Sequence, residues 1–221
     1  MECFVNDSNT SYVLGSQTPL EVAFLIDGSE SVTPELWSQT LEFIRRNIIN
    51  YRLSPDMVRV AFVLYSESAV VKLSLTEGIN EQAVLTSLYS LQRLGGRKDL
   101  VKAFEVARDS VLADNLVRPN AGKVIIAIVA GKLPGQNLQA LYDVANSLKN
   151  KDIQVGVIGI HDADQSILEN VVSHVSNLII INTGIEYPAT VGVVSEIQGD
   201  AAGKNIMITF CMISFTYLSF S

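Results

Sequence analysis

The chain has 221 residues, 48% of them hydrophobic and 18% charged, with a mean hydropathy of +0.28; this is too apolar for a disordered segment and too mixed for a polytopic membrane protein, so one compact domain with a large core is expected. Sixteen Lys and Arg against 23 Asp and Glu give a formal net charge of −7 and a pI near 4.8, which makes a phosphate-tracking surface, and with it nucleic acid, a poor expectation. Two cysteines and two histidines, with no CxxC pair, exclude zinc-finger and iron–sulfur chemistry.

Residues 1–19 carry neither a basic leader nor a continuous apolar run, so no secretory signal is expected there, and a flexible segment is predicted. Asn6 and Asn9 each begin a glycosylation sequon, which matters only in a secreted context. From there, apolar runs alternate with helix-period segments, the pattern of a parallel sheet covered by helices on both faces. Strands are predicted at 21–26 (EVAFLI), 58–65 (VRVAFVLY), 123–129 (KVIIAIV), 153–160 (IQVGVIGI) and 177–181 (NLIII). Their near-continuous apolarity fits burial on two sides. Residues 69–73 (AVVKL) follow the second strand too closely for a crossover helix, which makes them a short antiparallel edge strand. The fold class is therefore α/β: three αβα layers around a doubly wound, mostly parallel sheet. Helices are predicted at 34–50, 81–91, 99–113, 137–149, 164–172 and 189–198, several preceded by capping residues. In the first of them Trp37 falls among apolar residues at helical spacing and reads as core. No repeat or linker divides residues 20–199, which are expected to be one domain.

The last stretch, 205–221 (NIMITFCMISFTYLSFS), has no charged residue. Its apolar part is shorter than the ~20 residues of a membrane-spanning helix, so no membrane span is expected. Its β-branched and aromatic content suits a strand. It reads either as a processed lipid-anchor signal or as a terminus never selected to pack; the short spacer before it favours the second, and residues 200–221 are expected to lie outside the domain.

Open α/β sheets bind ligands at the carboxyl ends of their strands. The loop after the first strand reads Asp27-Gly28-Ser29-Glu30-Ser31. An acid and two hydroxyls around a glycine form a set of hard oxygen ligands suited to Mg²⁺. The same residues also make a good helix-capping turn, and the pentapeptide alone leaves both readings open.

This loop resembles the Asp-x-Ser-x-Ser element of von Willebrand factor A domains. The resemblance extends over roughly residues 20–199: the strand order, the short antiparallel third strand, Leu94-Gly95-Gly96-Arg97 before a helix, and the glycine-bearing strand Gln154-Val155-Gly156-Val157-Ile158-Gly159-Ile160. It implies a non-catalytic module for protein contact, extracellular and secreted, and in that family the loop forms part of a metal-ion-dependent adhesion site. It also implies that Asp27, Ser29 and Ser31 are metal ligands, yet two other usual contributors are changed. Metal-binding members place a threonine where Lys98 stands and an aspartate where Ala130 stands in Val129-Ala130-Gly131. The threonine becomes a cation and the second carboxylate a methyl, so the site is expected to be vestigial and to bind little or no Mg²⁺. Either Lys98 pairs with Asp27, and with Glu30, or Lys98 points to solvent while Ser31 and backbone amides satisfy Asp27.

The degenerate site and the Gly-Gly-Arg turn are similar to the A domains of collagen VI-like matrix chains. The partners implied are extracellular matrix proteins, collagen among them, with a metal-dependent contact through Asp27, Ser29 and Ser31 as the alternative. Some A domains of this family close with a bridge between their ends, which leaves Cys3 and Cys211 either paired or free. From another class, an α/β small-molecule-binding or hydrolytic domain would use the same strand-end crevice. For catalysis, however, there is no GxSxG elbow, the only histidines are His161 and His174, and the glycines of 131–135 lack phosphate-loop spacing. No enzyme and no cofactor are expected. Asp162-Ala163-Asp164 reads as a helix cap and not as a calcium loop. Arg93, Arg97 and Lys98, and farther on Lys149 and Lys151, form modest basic clusters that read as solvated faces, with a sulfated polysaccharide or acidic segment as their target if they bind at all.

Overall fold

A computed structural model describes residues 19–133 and 135–181 in full, and residues 190–200 and 203–213 as backbone. Strands β1 (Leu20–Asp27), β2 (Val58–Tyr65), β3 (Ala69–Leu73), β4 (Gly122–Ala130), β5 (Ile153–Ile160) and β6 (Leu178–Ile181) form one sheet in the order β3-β2-β1-β4-β5-β6. All its pairings are parallel except β2 with β3. Every residue of β1 is buried, as a strand covered on both faces and flanked by neighbours on both edges requires.

Side chains two apart along each strand feed two cores. On one face Val22, Phe24 and Ile26 pack with α1 (Pro34–Ile48) and α2 (Glu81–Ser90). On the other, Ala23 and Leu25 pack with α3 (Leu100–Val106), α4 (Leu138–Lys149) and α5 (Gln165–Leu168). The alternation follows from the period-2 geometry of a strand. Trp37 is partly buried against the first core, as its spacing predicts. The expected α/β class, its mixed sheet and its flanking helices are those observed.

Differences from the sequence-based elements have local causes. Helix α1 begins where Thr33 accepts a hydrogen bond from the Leu36 amide and Pro34 occupies the first turn. The predicted helix 99–113 is α-helical only to Val106 and widens into a π-turn over Ala107–Val111. The helix predicted at 164–172 stops at Leu168, because Ser173 is drawn onto β5: its amide donates to the Val155 carbonyl and its hydroxyl accepts from the Val155 amide. The helix predicted at 189–198 is a strand, β7 (Thr190–Asp200), paired antiparallel with β8 (Gly203–Ile213) in a separate two-stranded sheet. Its valines and glycines disfavour a helix, and the apolar segment that follows supplies a backbone partner. Residues 1–18, with Asn6, Asn9 and Cys3, and the side chain of Cys211 lie outside what is described. Among the described residues no helix is long and apolar enough to cross a membrane.

Candidate functional site

Strand order reverses between β1 and β4, and the crevice outside their carboxyl ends is the switch point at which α/β sheets place ligands. Two loops close over it. The Gly28 carbonyl accepts from the amides of Leu94 and Gly95, both at 2.9 Å, and the Glu30 amide donates to the Gly96 carbonyl at 2.9 Å. The fit at Gly28 is close: a Cβ there would lie 2.9 Å from Leu64 Cδ1, which would have to move, and 3.4 Å from the Leu94 amide. Gly95 and Gly96 both have φ of +72°, the left-handed region that favours glycine. The Glu67 carboxylate lies against Gly96 and accepts from the Arg97 amide.

This zipper delivers Lys98 to Asp27. Lys98 Nζ lies 3.3 Å from Asp27 Oδ2, with the two side chains 2% and 1% exposed. The same ammonium donates to the Ala130 carbonyl. The Ala130 amide in turn donates to Asp27 Oδ2 at 3.1 Å, and the Ser29 amide donates to Asp27 Oδ1 at 2.9 Å. Asp27, Ala130 and Lys98 thus form a closed ring of two hydrogen bonds and an ion pair, with no second carboxylate in it. At this separation and an effective dielectric of ~20 the attraction is about 5 kcal/mol before desolvation is subtracted. Tyr65, beside Asp27 in the β1–β2 register, donates its hydroxyl to the Ile128 carbonyl at 2.8 Å. Burial first, and the charge of Asp27 second, push that phenol well above its ordinary range.

The other singled-out residues separate. Ser29 is buried, and its hydroxyl has no hydrogen-bond partner. Ser31 and Glu30 are exposed; neither side chain is among the hydrogen-bond or ion-pair partners of Asp27, so the expected Glu30 pairing with Lys98 and the Ser31 contribution to Asp27 are not observed. Glu30 leaves the site because its backbone, not its side chain, is what the Gly96 loop grips. Arg93 donates to the Val32 carbonyl, and Arg97 is exposed. His161 and Asp162 have positive φ, 45° and 30°, on the exposed turn after β5. His174 caps a short turn, where its ring accepts from the Ser176 amide. Asp164 accepts from the Leu133 amide at 2.8 Å and ties the loops after β4 and β5 together. A cavity of about 290 Å³ beside the ring is lined by Glu67, Arg97, Lys98, Asp99, Lys102 and Gln136, a polar wall and not an apolar ligand pocket.

Sequence reasoning missed the opposite end of β1. Glu21, fully buried, accepts two hydrogen bonds from Arg59, at 2.8 and 2.5 Å, and one from Arg118 Nε at 2.8 Å. Arg118 also donates to the carbonyls of Leu20, Met57 and Pro55. The signal was present: a lone acid opens the apolar first strand, a lone arginine the second, and parallel register sets Glu21 beside Arg59.

Sheet, switch point and loop pair define an open α/β domain whose one strand-end site joins an acid to a lysine. The von Willebrand factor type A domain profile matches residues 21–183, and the chain belongs to that family. Among relatives, it is 28% identical over 176 residues to the mouse collagen alpha-1(XX) chain, covering 77% of this chain and 13% of that one. It is 26% identical over 153 residues to the mouse collagen alpha-4(VI) chain, covering 69% and 6%, and 24% identical over 197 residues to chicken matrilin-3, covering 87% and 40%. The chain therefore spans well under half the length of these relatives. Proximal thread matrix protein 1 of the mussel byssus, solved with a zinc-occupied MIDAS motif, shares the fold with a TM-score of 0.68 at 18% identity, over 75% of this chain and 42% of that one. The manganese-loaded TRAP protein of Plasmodium vivax matches at 0.64 and 18% identity, over 75% and 69%.

The residues here do not fit the divalent cation those two structures hold. Ser29 presents a buried, unpartnered hydroxyl. Against it, the only carboxylate of the ring carries a buried ammonium and two amide donors. A dication would have to approach an ammonium already paired with its ligand.

Proposed function

We propose that this chain is a non-catalytic protein-binding module of an extracellular matrix protein, secreted with its parent and making its contact without a metal ion. The observation that carries the reading is the Asp27–Lys98 pair, which neutralises the strand-end acid from within the chain. The kinship with collagen chains and a matrilin supports the matrix setting. Extracellular matrix proteins, collagen among them, are the partners it favours. The metal-dependent alternative through Asp27, Ser29 and Ser31 has less support, because Ser31 is exposed and Asp27 is already paired. A hydrolytic or small-molecule site is disfavoured by the polar, ion-paired wall of the cavity and by histidines that touch neither Asp27 nor Lys98. A sulfated polysaccharide has less support, because in the cluster of Arg93, Arg97 and Lys98 the lysine already pairs with Asp27 and Arg93 donates to the Val32 carbonyl, which leaves Arg97 exposed there.

The test is solid-phase binding of the purified chain to immobilised collagens and matrilins, in Mg²⁺ and again in EDTA. Saturable binding that is equal in the two buffers is expected. Binding abolished by EDTA would contradict the metal-independent contact, and no binding to any matrix protein would contradict the assignment itself.

A further inference from the structure

We infer that Lys98 is a tethered cation: its ammonium takes over, inside the chain, the electrostatic task that a divalent ion performs in metal-loaded members of this fold. The inference deepens the metal-independent reading above and rests on it. Three observations carry it. The ammonium is 2% exposed and reaches the buried acid of the loop, Asp27, at 3.3 Å. It also donates to the carbonyl of Ala130, so a single group bridges the carboxyl end of β1 to that of β4. And the positive charge arrives on a loop built for delivery, with two left-handed glycines and three backbone hydrogen bonds to residues 28 and 30 holding the approach.

Charge accounts for the exchange. A +2 ion beside one carboxylate keeps a net positive charge and must complete its shell with waters and neutral oxygens, whereas a +1 ammonium is matched by a single carboxylate and fills its remaining donor capacity with neutral oxygens. With Ala130 in place of an acid the ring contains one negative charge, and Lys98 supplies one positive charge. The loss at position 130 and the gain at position 98 therefore work together. A lysine beside two acids would leave one unpaired, and an alanine without the lysine would leave Asp27 buried alone.

Two experiments test this without any binding partner, so their failure is separate from failure of the proposed function. In the first, lysines of the whole chain are acetylated under native conditions and followed by mass spectrometry. Lys98 should react about tenfold or more slowly than exposed Lys72, at a rate unchanged by Mg²⁺ or EDTA, because reaction requires local opening. Equal rates for Lys98 and Lys72, or a Lys98 rate that Mg²⁺ alters, would overturn the inference. In the second, the double variant Lys98→Thr, Ala130→Asp is compared with the parent by calorimetry and thermal melting in Mg²⁺. The variant should bind the ion with measurable heat and melt about 5 °C higher with it, while the parent shows neither. A variant that takes up no ion, or a parent that does, would overturn it. If the variant does not fold, the acetylation rates decide alone.

Discussion

Strand β1 carries an acid at each end, and the two ends treat it differently. Glu21, at the start, is enclosed by two arginines that also donate to the carbonyls of Leu20, Pro55, Met57 and Leu116. Asp27, at the finish, has one lysine and two backbone amides. The first end knots three separated stretches of chain together and presents its charge to nothing. The second lies at the switch point of the sheet, under loops closed by glycines, where ligands of this fold class are received. A buried ion pair thus has no single meaning: the same chemistry is a clamp at the closed end of the strand and a neutralised site at the open one.

Removal of Glu21 should have the largest effect. Glu21→Leu leaves two partly buried guanidiniums facing an apolar side chain and should cost about 3–5 kcal/mol in urea unfolding. A loss below about 1 kcal/mol would show that the knot is not structural. Next comes Lys98→Met, expected to cost about 3 kcal/mol, somewhat less because Asp27 keeps its two amide donors. Adding Asp27→Asn to that variant should return stability to within about 1 kcal/mol of the parent, since neither charge is then left alone. Costs that simply add would mean the two groups are not coupled.

A smaller effect separates the pair from the helix beside it. Thr33→Ala removes the cap on α1 and should cost about 1 kcal/mol while leaving the acetylation rate of Lys98 unchanged. A faster rate would mean that the loop is held by the helix and not by the ion pair. The smallest comes from a third acid. Glu42 on α1 also meets two arginines, Arg45 and Arg46, but its side chain is 39% exposed. The hydrogen bond from Arg45, with a further one from Arg46, holds its carboxyl down at about 2, from an ordinary 4.5. A lowered folded value stabilises above the unfolded one, so this contribution is complete above about pH 5 and is lost as pH falls towards 2. Exposure and salt screening keep it to about 0.5 kcal/mol, so Glu42→Gln should flatten the acid limb of the stability curve only slightly. A change as large as that at Glu21 would erase the distinction between buried and solvated triads.

Much of this was legible in the chain itself. Strands covered on two faces write themselves as nearly unbroken apolar runs, and β2 and β5 match the expected bounds residue for residue, as does the edge strand β3, set by its closeness to β2. Asp27 could be singled out because it fits the Asp-x-Ser-x-Ser pattern, and Lys98 and Ala130 because they depart from it; the structure brings the three together. The roles of Ser31 and Glu30 were not legible, because a one-residue difference in where a tight loop turns decides which side chains face inward and which face water. Glu21 with Arg59 and Arg118 was missed because a charged residue at a strand start reads as a solvated end unless the register is known. The helix predicted over β7 failed for a related reason: its partner strand lies in the segment expected to fall outside the domain, and an isolated reading of 189–198 has no way to count a pairing across a turn.

The account stands or falls on what sits against Asp27. Crystals of the chain grown or soaked in Mn²⁺ and measured at the manganese absorption edge would show it directly, since an ammonium scatters no anomalous signal. Continuous density from Lys98 to Asp27 and the Ala130 carbonyl is expected, with no anomalous peak in the ring. A manganese peak coordinated by Asp27 and Ser29, with Lys98 swung into solvent, would contradict it.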